Sequence, residues 1–262
     1  MHLRTLAMIA ATGLLLSGCG RNTASVTLAG STAFQPFAEK LAEEFMLKNP
    51  GANITVQGGG SAVGIQAALS GAAQIGMADL VELPAEAKAL TSYLVARDGI
   101  AVVINPANAV TNLSLVQIRG IFNGAINNWK ELGGKDTPIT VVSREAGSGT
   151  RSSFEKIVKG IALTQDAIVQ DSNGTIRETV AQDVNAVGYL SHGLLNDKIK
   201  AVTVAGVACT TAAVVAGTYP LARPVFLLTK GPAAGARKAF IEYVLSAEGQ
   251  KLIADNGLIR AQ

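Results

Sequence analysis

Three times along this chain an apolar run breaks at a glycine, passes through small hydroxyl residues and enters a helical pattern. The stretches are "GSTAFQP" at 30–36, "GGGSAVG" at 58–64 and "AGSGTRSS" at 146–153. Each follows a strand-like run, "VTLAG", "NITVQ" or "PITVVS". Strand, loop and helix alternating at this spacing predict an α/β layer fold with a parallel-rich sheet. The same junctions restrict function. A helix start offers unpaired backbone N–H groups and the positive end of a dipole, and glycine lets a ligand approach the backbone closely. Singly, Ser31, Ser61 and Ser148 read as ordinary N-caps; their recurrence at strand ends points to an anion held at the edge where open α/β sheets bind ligands.

The rest of the chain continues the pattern. In "STAFQPFAEKLAEEFMLKN", Phe37, Leu41 and Phe45 recur at spacing four, an amphipathic helix with Pro36 in its first turn. The run "GIAVVIN" at 99–105 is apolar enough for a buried central strand, closed by Pro106. Helices are expected at "LSLVQIRGIFNG" and over about 150–160, 174–183, 233–246 and 247–255, with strands at "AVGYLS" and "IKAVTV" and an extended "YPLARPVFLLTK". No repeat or Gly/Ser linker divides the chain. Two lobes joined by strands near 103–107 and 218–226 are therefore expected: residues 25–104 with 222–262, and residues 105–221. A double crossing implies a hinge.

The N-terminus carries Arg4, an apolar stretch from Leu6 to Leu16 and small residues before Cys19. That is a secretory signal, too short for a membrane span. Leu16-Ser17-Gly18-Cys19 reads as a lipobox, with residues 1–18 removed and Cys19 lipidated, which would hold an extracytoplasmic protein at a membrane. Removing 18 of 262 residues leaves 244, and Arg4 leaves with them, so 21 basic residues face 19 acidic ones. Such a balance, with no basic run, gives no case for nucleic acid. Cys209 then has no disulfide partner and sits in the apolar "AGVACTTAAVV", the setting of an inert thiol.

Enzymatic readings fare poorly. After signal removal His192 is the one histidine available as a base, and no Gly-x-Ser-x-Gly elbow surrounds Ser148 or Ser61. "GGGSAVGIQ" has Ile65-Gln66 where a phosphate loop needs Lys and Ser or Thr. One histidine, one free cysteine and no clustered carboxylates give no metal cage, so no metal, cofactor or catalytic residue is expected.

The motifs "AGSTAFQPF", "GGGSAVGI" followed by "IGMAD", "DGIAVVINP", "LSLVQIRGIFNGAINNW" and "SREAGSGTR" occur in an order that resembles the PstS-type phosphate-binding lipoproteins of bacterial high-affinity phosphate ABC transporters. The resemblance covers essentially the whole mature chain. It implies a type II periplasmic-binding-protein fold closing on dehydrated phosphate, and a monomer that delivers its cargo to a permease with ATPase subunits. Carried over by position, it implies phosphate contacts at Ser31, Thr32, Ala33, Phe34, Ser61, Asp79, Arg144, Ser148, Gly149 and Thr150. Relatives often place an aspartate two residues after the arginine to orient it. Here that place is Ala146, leaving Glu145 or another carboxylate for the task. Trp129 matches a family motif as a packing residue. Rival readings are a receptor for sulfate, molybdate or tungstate, and a secreted serine phosphatase or esterase.

Overall fold

The computed structural model describes residues 24–261; the signal segment and Cys19 lie outside them. The chain opens with β1 (Ala24–Gly30), α1 (Gln35–Lys48), β2 (Ala52–Gln57), α2 (Ser61–Ser70) and β3 (Ile75–Ala78). A 15-residue strand, β4 (Leu90–Ile104), leads into β5 (Asn112–Leu113), α3 (Leu115–Phe122), β6 (Thr140–Arg144), α4 (Gly149–Val158), β7 (Ile168–Gln170), α5 (Asn173–Gln182) and β8 (Ala186–Ser191). Short pieces follow: β9 (Lys200–Ala201), β10 (Thr203–Val204) and α6 (Thr211–Val215). The chain returns through β11 (Ala222–Lys230) to α7 (Gly235–Leu245), α8 (Ala247–Asp255) and β12 (Ile259–Arg260).

The main sheet runs β2-β1-β3-β11-β4-β8-β6-β7. Its flanks are parallel, β1 with β2 and β3 on one side and β6 with β7 and β8 on the other. Its centre is antiparallel, because β11 runs against β3 and β4, and β4 against β8. This gives two α/β lobes joined by two crossing strands. Leu90–Gly99 of β4 pairs with β11, whereas Ile100–Ile104 pairs with β8. The change of partner thus falls at Gly99–Ile100, before the expected 103–107 and the expected lobe limit at 104. The second crossing, where the Ile100 amide bonds the Leu221 carbonyl at 2.7 Å, lies within the expected 218–226. The first nine residues of β4, "LTSYLVARD", lie outside the expected strand, because Arg97 and Asp98 break its apolar pattern. The expected strand "IKAVTV" is split at Val202, one piece pairing with β4 and the other with β5.

One strand feeds two cores. Val95 and Ala96 pack with Phe37, Leu41, Phe45, Met77 and Phe240, while Ile100–Ile104 pack with Phe122, Trp129, Phe154 and Tyr189. Each large side chain so buried contributes about 1.5–3 kcal/mol. Trp129 belongs to the second core and donates its indole N–H to the Asn185 carbonyl at 2.9 Å, a packing role. Cys209 is buried and has no disulfide partner among the described residues, and burial pushes its thiol up to about 12. Among the described residues, no helix is long and apolar enough to cross a membrane.

Candidate functional site

The three glycine-flanked helix starts face one another across the lobes, but they are capped in three different ways. Ser148 is the N-cap of α4, its Oγ accepting from the Arg151 amide at 3.2 Å. Ser31 precedes α1 and accepts from the Ala33 and Phe34 amides at 3.2 and 3.1 Å. Both hydroxyls keep a hydrogen to donate. Ser61 is no cap at all. Gly60, with φ +87°, occupies the N-cap of α2, in a region of backbone space that favours glycine, and so places Ser61 at the first helical position. The Ser61 hydroxyl donates to Asp79 Oδ1 at 2.5 Å and accepts from the Asp79 amide at 3.1 Å.

Asp79 follows β3 directly and is buried. Thr150, from the other lobe, reaches its Oδ2 at 3.4 Å, a weak contact. Gly149 packs so tightly here that a Cβ on it would run into Ser61 Oγ and Asp79 Oδ1. Further contacts close the lobes on each other: the Ala62 amide donates to the Gly147 carbonyl at 3.1 Å, Ser153 Oγ donates to the Asp79 carbonyl at 3.1 Å, and Lys156 pairs with Glu82.

Arg144 ends β6, a strand buried from Val141 onward, and is itself 1% exposed. The question left by Ala146 is answered by Glu145. Arg144 Nε and Nη2 each donate to the Glu145 carboxylate at 2.9 Å. Nη2 also reaches Thr32 Oγ1 at 3.3 Å and the Asp171 carbonyl at 3.2 Å. Nη1 is buried without a hydrogen-bond partner among the described residues. Below the guanidinium, the Tyr189 hydroxyl lies 2.9 Å from Ser143 Oγ and accepts from the Arg144 amide at 3.4 Å. Burial pushes that phenol up to about 12, so it remains a neutral support.

Three participants escaped sequence reasoning. Asn173, fully buried at the start of α5, donates to Thr32 Oγ1 at 3.1 Å, across the lobes. Arg223 on β11 is ion-paired to Asp79 at 2.5 Å and to Asp98 at 2.8 Å. Asp98, on β4, is fully buried, and desolvation holds its carboxyl above the usual range against the opposing pull of the Arg223 charge and of hydrogen bonds from Arg223 and Ser191. A signal for the last two existed, since "LVARDGIAVV" and "LARPVFLL" each set a charge in an apolar run, where charges are buried only when paired.

Of the residues inferred from the resemblance, Thr32, Ser61, Asp79, Arg144, Gly149 and Thr150 meet across the lobes, Ser31 and Ser148 stand at the adjoining helix starts, and Ala33 and Phe34 give their amides to Ser31 with the Phe34 ring in the first core; Ser31, Ser61, Asp79, Arg144, Ser148 and Thr150 are each about 1% exposed. Formally, two guanidinium groups, Arg144 and Arg223, meet three carboxylates, Glu145, Asp79 and Asp98. An oxyanion here is therefore attracted by fixed N–H and O–H donors and helix ends more than by net charge. His192 stands elsewhere, its Nδ1 donating to the Gly257 carbonyl at 3.1 Å, with no bond to a loop serine among the described residues.

A model of the PBP superfamily domain matches residues 17–248. The phosphate-binding protein PstS of Bacillus subtilis (strain 168) is 40% identical over 240 residues, spanning 90% of this chain and 80% of that one. Among solved structures, a protein of Clostridium perfringens with bound phosphate, described as a phosphate ABC transporter substrate-binding protein, superposes with a TM-score of 0.88 at 41% identity, over 91% of this chain and 100% of that one. An ABC-type phosphate transport receptor from Vibrio cholerae gives a TM-score of 0.75 at 36% identity, over 89% and 99%.

Proposed function

The chain belongs to the PstS family within the PBP superfamily, and from that premise we propose that it captures inorganic phosphate between its lobes and delivers it to an ABC transporter. The observation that carries this reading is Arg144: a buried guanidinium locked by Glu145 and Thr32, with Nη1 unpartnered among the described residues where the lobes meet. The phosphate oxygens would be met by Nη1, by the Ser31 and Ser148 hydroxyls and by backbone N–H groups at the three helix starts, with Ser61, whose hydroxyl donates to Asp79, holding that carboxylate in place. The relatives are transport receptors, which supports a binding role for the loop serines.

Asp79 sets the choice of anion in this reading. Two like charges about 4 Å apart repel by roughly 4 kcal/mol at an effective dielectric near 20. Arg223 beside Asp79 offsets part of that. Phosphate near neutral pH keeps an O–H that Asp79 can accept, whereas sulfate has none. Titration calorimetry of ligand-stripped protein is the test. Wild type should prefer phosphate to sulfate, and Asp79→Asn should weaken phosphate by about 1–3 kcal/mol and narrow the gap. A wild-type preference for sulfate would overturn the phosphate assignment; unchanged discrimination in the variant would overturn the role of Asp79.

The lipobox adds an anchor to this picture. Cys19→Ser should yield a protein that binds phosphate normally but leaves the membrane fraction on cell fractionation. A serine variant still sedimenting with membranes would refute lipidation at Cys19.

A further inference from the structure

The two crossing strands meet in a buried ion pair that does not stop at the hinge. Arg223 and Asp98 are direct cross-strand partners in the β11–β4 ladder. Arg223 Nε and Nη2 both donate to Asp98 Oδ2, at 3.1 and 2.8 Å. The third nitrogen, Nη1, reaches forward to Asp79, pairing with Oδ2 at 2.5 Å and with the backbone carbonyl at 3.2 Å. Behind the pair, Ser191 Oγ on β8 donates to Asp98 Oδ1 at 2.9 Å, and the Ser191 amide donates to Asn173 Oδ1 at 3.1 Å. Asn173 in turn holds Thr32. A chain of buried hydrogen bonds thus runs from Asp79 through both crossing strands and round to the first loop.

We propose that Arg223 is a positioning residue for anion selection: from the hinge it occupies Asp79 Oδ2 and leaves Oδ1, beside Ser61, as the acceptor that faces the ligand. This rests on the reading of Asp79 as the acceptor of a phosphate O–H. The geometry argues for it in two ways. A guanidinium has enough donors in a fixed plane to grip two carboxylates at once, which a lysine ammonium on a flexible stem does not. And Arg223 touches Asp79 twice, at the carboxylate and at the backbone, so both the position of the residue and the turn of its side chain are specified. The charge matters as well: with Arg223 in place, Asp79 meets an incoming anion as half of an ion pair, not as a bare negative charge.

The test is a double-mutant cycle read as the ratio of phosphate to sulfate affinity, since a purely structural contribution would add independently of Asp79. Wild type, Arg223→Lys, Asp79→Asn and the combined variant are compared by calorimetry after their folding is checked by thermal melting. Arg223→Lys should lower the ratio by about tenfold, the scale of one misaligned charged hydrogen bond. In the Asp79→Asn background the same change should leave the ratio where Asp79→Asn alone put it. A folded Arg223→Lys protein with the wild-type ratio, or a cycle in which the two changes add, would overturn the proposal. If Arg223→Lys does not fold, Arg223→Gln combined with Asp98→Asn keeps the net charge of the cluster, with Asp79 its one remaining carboxylate, and is read the same way. Wild-type protein without a phosphate preference would fail the functional reading itself, and this inference with it.

Discussion

Replacing Arg144 by alanine is expected to weaken phosphate about a hundredfold or more, and sulfate by a similar factor. Truncating one member of a buried, hydrogen-bonded charge pair costs about 2–5 kcal/mol of binding, much of it from the partner left behind. Here the loss has three sources. The free Nη1 is the buried guanidinium donor with no hydrogen-bond partner among the described residues, Nη2 holds the Thr32 hydroxyl in place, and Glu145 loses the cation that matches its charge. The Glu145 side chain is 31% exposed and can turn toward water, so the fold should survive. Arg144→Lys should fall between, keeping charge but not the planar fork. Calorimetry on variants with a wild-type melting profile decides the matter: a folded Arg144→Ala protein within threefold of wild type, a margin of about 0.7 kcal/mol, would show that the site does not depend on this side chain.

The second large effect is steric and needs no change of charge. Gly149→Ala places a methyl group against Ser61 Oγ and Asp79 Oδ1. These atoms are held to each other at 2.5 Å and have nowhere to retreat. Overpacking of this kind costs about 1–3 kcal/mol, roughly a ten- to hundredfold loss of affinity. Yet the obstructing atoms belong to the opposite lobe, and Gly149 opens a helix in which alanine is the better residue. The ligand-free variant should therefore melt at the wild-type temperature or slightly above it, while phosphate raises its melting temperature far less than it does for wild type. Gly147→Ala is the control, because its Cβ would meet the Ala62 Cβ at an ordinary 3.6 Å. Equal binding by the two variants would mean that the lobes do not close as tightly on ligand as they stand here.

How far the sequence could be read depended on how local each interaction is. Arg144 and Ser148 lie in one loop, so "SREAGSGT" carries their relation in its spacing, and Ser61 with Asp79 spans a single helix and strand. The Glu145 contact is also adjacent in sequence, but with Ala146 in place of the aspartate the choice of carboxylate depends on the orientation of the guanidinium plane, which spacing does not encode. Arg223 and Asp98 are 125 residues apart and Asn173 and Thr32 are 141 apart. No periodicity links such pairs. For the same reason the apolar pattern marks only the Gly99–Ile104 end of β4: Asp98 has the look of a loop residue, and such a pattern cannot register a charge that is buried because another strand neutralises it.

That pairing also orders events during synthesis. Asp79 and Asp98 leave the ribosome long before Arg223, which follows Asp79 by 144 residues. Until β11 arrives, β3 and the first half of β4 lack the neighbour that joins them, and two carboxylates destined for a dry interior have no counter-ion. Contacts between residues so far apart form late and slowly. A chain broken off anywhere before Arg223 therefore lacks the counter-ion of both carboxylates and could bury them only protonated, so β11 completes the charge balance of the sheet together with its ladder.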